Sequence, residues 1–143
     1  MDSFRKQGPP KVTGEPETLK YASELGVDIE KMTRTPSGLY YLDREVGTGT
    51  TAVNGKEVLV GYVGALADGM VFDQSGEGQP IGFTLGQRQV ITGWDEGIKG
   101  MRVGGRRLLV IRPSLAYGAQ SPGAGIPPNA TLVFDVRLVG VGP

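Results

Sequence analysis

In the segment Thr131 to Val139, Leu132, Phe134, Val136 and Leu138 recur at every second position, so a strand would put all four on one face. The same kind of reading predicts strands over Leu39–Val46, Glu57–Leu66, Met70–Asp73, Ile81–Leu85 and Arg106–Arg112. Within the fourth of these, Ile81, Phe83 and Leu85 share a face. Asn54-Gly55 and Asp68-Gly69 separate strands with dipeptides that tolerate positive φ, as tight turns require. One segment departs from this period. From Val90 to Gly100, Val90, Ile91, Trp94 and Ile98 line one side at helical spacing. Its interior glycines, Gly93 and Gly97, cost about 1 kcal/mol each relative to Ala, so this helix depends on packing, and they let it lie close to a sheet. The pattern predicts an α+β domain, a twisted antiparallel sheet crossed by one helix.

The first 35 residues read differently, and the chain divides into an N-terminal arm over 1–35 and a domain over 36–143. Residues 1–16 are polar and broken by Pro9, Pro10, Gly14 and Pro16, which predicts a disordered or loosely attached segment. Residues 17–25 predict a short helix, with Leu19, Ala22 and Leu25 at helical spacing and Gly26 as a left-handed cap. Asp28 is placed to cap a second turn through Met32. A helix this short is marginal alone, so the apolar side chains of the arm must dock on the main domain or on a second copy of the chain. In a dimer, Tyr21, Leu25, Ile29 and Met32 would supply the contacts; a monomer is the expectation.

Composition narrows the functions. Glycine (24) and proline (10) are abundant in the 143 residues, which suits many tight turns in a β-rich fold. The chain has no His and no Cys, which excludes a Ser-His-Asp triad, a cysteine nucleophile and a disulfide framework, and leaves no expected metal or cofactor. Fifteen basic residues balance fifteen acidic ones, so no positive field favours nucleic acid. Apolar runs are too short for a membrane span, and the N-terminal residues lack an apolar signal region; a cytoplasmic location is expected, or an exported or organellar one if a targeting segment was trimmed.

Few side-chain groupings suggest chemistry. Gly47-Thr48-Gly49 lacks the third glycine of a dinucleotide loop, and Asn129-Ala130-Thr131 is a sequon by chance composition. Asp95 and Glu96 are adjacent and point apart on a helix; a solvated pair between Asp95 and Lys99 is the expectation. The aromatic residues are more informative. After Tyr41 there are only Tyr62, Phe72, Phe83, Trp94, Tyr117 and Phe134. They could all be core. Yet Trp94 lies on the glycine-containing helix and must cover something, and Tyr117 lies in the loop segment Leu115-Ala116-Tyr117-Gly118. A bulky indole with a nearby loop hydroxyl suits an apolar site with one polar handle.

Longer blocks of sequence carry a resemblance. Gly69-Met-Val-Phe72-Asp73, Phe83-Thr-Leu85-Gly86, Val90-Ile91-Thr-Gly93-Trp94-Asp95-Glu96-Gly97, Ala116-Tyr117-Gly118-Ala119 and Ile126-Pro127-Pro128-Asn129-Ala130-Thr131-Leu132-Val133-Phe134 resemble the FKBP family of peptidyl-prolyl cis–trans isomerases, in register from about Ser37 onward. The resemblance implies a twisted antiparallel half-barrel sheet wrapped around one short helix. It implies a pocket with Trp94 as the floor for a prolyl ring, Tyr62, Phe72 and Phe134 as walls, and Val90 and Ile91 at the rim. The Ile91 N–H and the Tyr117 hydroxyl would face substrate carbonyls, Asp73 would hold the Tyr62 hydroxyl, and Ile126 would lean in. Asp73, Tyr117, Trp94 and Phe134 are thereby the catalytic candidates, and Tyr62, Phe72, Ile81, Val90, Ile91 and Ile126 the substrate-binding ones.

Ile81 stands where the family usually has an aromatic residue, Gly61 where His is common, Gly125 replaces a bulkier residue, and the segment 74–78 is short. The implied partners are proline-containing peptides, unfolded protein segments and macrolide ligands. The alternative is a catalytically weak module that binds proline peptides or macrolides without turning them over. A chaperone reading would need an inserted flap before the last strand, for which Pro113–Asn129 leaves no room.

Overall fold

The computed structural model describes residues 11–143. The predicted disorder of residues 1–10 lies outside the described residues. The sheet has seven strands: β1 (Thr33–Arg34), β2 (Tyr40–Glu45), β3 (Glu57–Leu66), β4 (Val71–Gln74), β5 (Ile81–Thr84), β6 (Arg106–Ile111) and β7 (Leu132–Val141). Six of them were expected, with shifts of one or two residues at most ends. The two-residue β1 was not, being too short to show a period. The sheet is antiparallel throughout, in the order β1-β2-β6-β7-β3-β4, with β5 also on β3. The ten residues of β3 are shared along one edge: β5 pairs with Glu57–Val60 and β4 with Val63–Ala65, while β7 takes the other edge. The sheet therefore curls without closing.

The single α-helix among the described residues, α1 (Thr92–Ile98), lies in the concavity. It is shorter than the Val90–Gly100 span predicted. Val90 and Ile91 belong to the approach loop, where Ile91 is extended at φ −59 and ψ 150. The glycines set how near it comes. A Cβ on Gly93 would lie 2.5 Å from Ile111 Cγ2, and one on Gly97 would lie 2.8 Å from Leu109 Cδ1. Only hydrogen at these two positions allows the helix to seat on β6. Trp94 and Ile98 join Leu109, Ile111, Phe134, Val136 and Leu138 in the main core.

The arm departs most from expectation. Residues 17–25 do not form a continuous helix. They make two single 3₁₀ turns, Pro16–Thr18 and Ser23–Leu25, with extended backbone at Leu19 and Ala22. Nine residues cannot meet the nucleation cost of a free α-helix, and the chain follows the sheet surface instead. Gly26 does end its turn in the left-handed region, and the Asp28 carboxylate accepts from the Glu30 N–H to cap Ile29–Lys31. Nor are residues 11–16 loose: Thr13 bridges to Ala130 and the Gly14 N–H donates to the Asn129 carbonyl at 2.8 Å. Tyr21, Leu25, Val27, Ile29 and Met32 pack on Tyr40, Leu108, Val110 and Val133, forming a second core on the outer face of the sheet. The side chains that could have served a dimer are used on the chain's own sheet. This also explains why β6 reads as a continuous apolar run: Leu109 and Ile111 face the main core, Leu108 and Val110 the arm.

Candidate active site

The cavity at the mouth of the half-barrel has a volume of about 450 Å³, within the range of small-molecule sites. It is lined by Tyr62, Phe72, Asp73, Ile81, Val90, Ile91, Trp94, Tyr117, Ile126 and Phe134, together with Gln89, Pro122 and Ala124. Every candidate site residue is therefore brought to one place, from five elements and from the loops that carry Val90, Ile91, Tyr117 and Ile126. β3 supplies Tyr62. β4 supplies both Phe72 and Asp73, neighbours that would ordinarily face opposite ways; the β3–β4 register slips at Gly64/Ala65, and such a slip re-aims side chains. β5 begins with Ile81, α1 carries Trp94 and β7 carries Phe134.

Trp94 is 4% exposed and lies at the bottom of this cavity. Its ring meets Tyr62 edge-on at 4.9 Å between centroids and Phe134 edge-on at 5.3 Å, while Phe72 meets Phe134 edge-on at 5.5 Å. These are the favourable quadrupolar arrangements of aromatic pairs, and they fix the shape of the walls. Trp94 Nε1 is buried without a hydrogen-bond partner among the described residues, so the floor retains an unpaired donor. The Ile91 N–H likewise donates to no backbone group among the described residues, whereas the Ile91 carbonyl accepts from Trp94 and Asp95. Tyr117 stands on the rim and is 41% exposed.

Asp73 accepts the Tyr62 hydroxyl proton at 2.7 Å. Burial raises the Tyr62 hydroxyl to about 12, with the bond to the Asp73 carboxylate and its charge adding to the effect. Tyr62 is therefore neutral, and its ring fixed, across the physiological range.

Several supporting residues were not legible in sequence. Gly64 has no side chain to name, yet a Cβ there would lie 2.5 Å from Phe134 Cε1 and 2.8 Å from Phe72 Cζ. Its bare Cα is what admits both rings. The expected solvated pair between Asp95 and Lys99 does not form. The Asp95 carboxylate instead accepts from the Gly86 and Arg88 N–H groups at 2.8 and 3.1 Å, and Arg88 sits in the left-handed region at φ 58. Unsatisfied amides of a strained turn are a stronger attraction than a mobile ammonium. Asp95 thus fastens the 86–91 loop, including Val90 and Ile91, to α1. Glu96 accepts from the Thr35 hydroxyl at 2.9 Å and ties α1 to the start of the domain. Gln89 Oε1 accepts from the Thr84 N–H. Opposite them, Gly123, Ala124 and Gly125 all have positive φ, which shapes the loop that brings Pro122, Ala124 and Ile126 to the cavity. Among the described residues, no group of three or more potential metal-ligating side chains occurs.

Residues 48–139 match the family described as FKBP-type peptidyl-prolyl cis-trans isomerase. FK506-binding protein 4 of Mycosarcoma maydis is 52% identical over 113 residues, covering 78% of this chain and 30% of that protein. The FK506-binding protein of Neisseria meningitidis serogroup B is 50% identical over 105 residues, 73% of this chain and 96% of that protein. Among solved structures, FkpA from Escherichia coli aligns with a TM-score of 0.73 at 42% identity over 85% of this chain and 55% of FkpA. AtFKBP13 aligns with a TM-score of 0.70 at 41% identity over 77% and 98%. The chain spans about 30% of the length of fungal relatives such as that of Mycosarcoma maydis. An open antiparallel sheet around one short helix, these similarities and the match over residues 48–139 together establish that the chain belongs to the family of FKBP-type peptidyl-prolyl cis–trans isomerases.

Proposed function

We propose that this protein catalyses cis–trans rotation of X–Pro peptide bonds in peptides and unfolded protein segments, and that its pocket also takes macrolide ligands. The observation that carries this reading is the convergence of Trp94, Tyr62, Phe72 and Phe134 on one apolar cavity with few polar groups at its edge.

The peptide bond resists rotation by about 18–20 kcal/mol because resonance gives it double-bond character. The planar amide is strongly dipolar. As it twists, conjugation is lost and the dipole shrinks. A cavity that replaces water by aromatic faces penalises the planar form more than the twisted one, so the barrier falls. A ten-thousandfold acceleration requires about 5.5 kcal/mol of such differential stabilisation. Neither proton transfer nor a covalent intermediate is needed, which suits a chain without His or Cys.

In this reading the prolyl ring lies on Trp94 between Tyr62, Phe72 and Phe134, with Ile81, Val90, Ile91 and Ile126 completing the walls. The Ile91 N–H holds a substrate carbonyl, and the Tyr117 hydroxyl meets the carbonyl that rotates. Asp73 positions Tyr62. Uniform burial of the ring sets affinity, and only the interactions gained on twisting raise turnover.

A protease-coupled assay on an X–Pro peptide tests the reading. Catalysis that disappears on adding a pocket-filling macrolide supports it. Binding without any acceleration would reduce the protein to a binding module.

A further inference from the structure

The arm crosses the domain at the two ends of the 113–130 loop, which carries Tyr117, Pro122, Ala124 and Ile126 into the cavity. At the first end stands Arg112, between β6 and the turn Pro113–Leu115. It is the one buried charged residue among the described residues, 9% exposed. Its Nε donates to the Gly38 carbonyl at 2.8 Å, its Nη1 to Glu15 Oε1 at 2.8 Å and its Nη2 to Glu17 Oε2 at 2.6 Å. Both carboxylates belong to the arm. The Tyr40 hydroxyl also donates to Glu17 Oε2, at 2.7 Å.

At the second end the arm forms a short antiparallel bridge, Thr13 to Ala130. The Gly14 N–H donates to the Asn129 carbonyl, and the fully buried Thr131 hydroxyl donates to the Gly14 carbonyl at 2.7 Å. Val12 packs against the main core. The two ends are braced to the rim: Asn129 N–H donates to the Gly118 carbonyl at 2.7 Å, and Gly118 N–H to the Pro113 carbonyl at 2.9 Å. The path from arm to pocket is therefore continuous: Glu15 and Glu17 to Arg112 to Pro113, and Gly14 to Asn129 to Gly118, the residue after Tyr117.

We propose that residues 12–17 act as a strap that fixes the 113–130 loop, and that Arg112, through its paired carboxylates, is a positioning residue for the Tyr117 hydroxyl. Neither Arg112 nor the strap touches the cavity. A buried guanidinium whose five donors form a rigid fork holds a defined geometry only while its acceptors are in place. Neutralising Glu15 and Glu17 leaves Arg112 the Gly38 carbonyl but no carboxylate, so the first end of the loop is held less firmly, and the hydroxyl then samples positions away from the rotating carbonyl, as small misplacements of a positioned group lower turnover.

The kinetic half of the test rests on the isomerase reading; the other half does not. In the full chain, Glu15→Gln/Glu17→Gln should speed amide hydrogen exchange at Gly118 and Asn129 by about tenfold, while core amides such as Leu109 keep their protection. The same variant should lower kcat/KM on a proline peptide about fivefold, and this loss should vanish in a Tyr117→Phe background, since coupled residues are not additive. Arg112→Lys, which keeps the charge and loses the fork, should behave as the double variant does. Arg44→Gln, which frees the arm at the Leu25 carbonyl far from the loop, should leave Gly118 exchange unchanged. Unchanged exchange at Gly118, unchanged kcat/KM in an active protein, or a fivefold loss that persists without the Tyr117 hydroxyl would each overturn the strap. A wild-type chain with no turnover would sink the isomerase reading alone, and the exchange data would still decide whether the strap holds the loop.

Discussion

Gly64 shows how a residue without a side chain can define a site. Phe72 and Phe134 fill the space that a Cβ would occupy. Gly64→Ala should therefore push the two walls apart, cost about 1–3 kcal/mol as overpacking does, and weaken ligand binding, as read by a Trp94 fluorescence titration with a macrolide. Side chains that touch the cavity should differ in kind. Tyr117→Phe removes one hydroxyl from a rim that is already partly wet, so kcat/KM should fall by about fivefold, the equivalent of about 1 kcal/mol. Asp73→Val leaves the Tyr62 hydroxyl without its acceptor and frees the ring, and Trp94→Ala removes the floor. Both should cost more than Tyr117→Phe in the same assay, and Trp94→Ala should also lower stability by about 3–5 kcal/mol. Equal turnover in all three variants would contradict the roles proposed.

At the scale of elements, α1 and the arm illustrate opposite uses of weak local propensity. Seven residues with two glycines do not make a helix that stands alone, and α1 exists because Gly93 and Gly97 let it meet Ile111 and Leu109. Gly93→Ala should consequently destabilise the protein, although Ala is favoured in helices by about 1 kcal/mol. Set against an overpacking cost of about 1–3 kcal/mol, a net loss of up to about 2 kcal/mol should appear as a lower denaturant midpoint. The arm is held by charge as well as by apolar packing. Burial pushes the Glu17 carboxyl up, but hydrogen bonds from the Tyr40 hydroxyl, its own backbone N–H and Arg112 outweigh this and bring it from 4.5 to about 2. Because the folded value is the lower one, the stabilisation is complete above about pH 4.5 and fades as pH falls toward about 2. The difference in Tm between the wild type and Glu17→Gln should be constant at neutral pH and should close over that acid range.

For the whole molecule, the absence of His and Cys means that no side-chain type with an ordinary pKa near neutrality lines the pocket. Burial and Asp73 keep Tyr62 protonated up to about 12. Turnover should therefore be flat between about pH 6 and 8, a profile at odds with any general-base mechanism. The arm also bears on assembly. It covers Leu108, Val110 and Val133 on the outer face, so the proposed state of the full chain is a monomer. Removing residues 1–34 would uncover that apolar face, and light scattering should then report self-association that the full chain lacks.

The alternation in β3, β5 and β7, the turn dipeptides and the spacing around Trp94 reveal the sheet, the helix and the candidate pocket residues because each depends on short-range periodicity. The sequence also determines that the proposed catalysis draws on neither His nor Cys of this chain. Gly64, the Asp95 turn and the path of the arm depend instead on partners distant in the chain. Asp95 could have paired with Lys99 four residues away, but folding brings it to the bare amides of Gly86 and Arg88. Residues 17–25 have helical spacing, but the apolar outer face of β6 and β7 together with buried Arg112 offers more than one free turn of helix can. Local pattern fixes which face of an element is apolar; only the assembled fold determines what that face, or an unpaired charge, will meet.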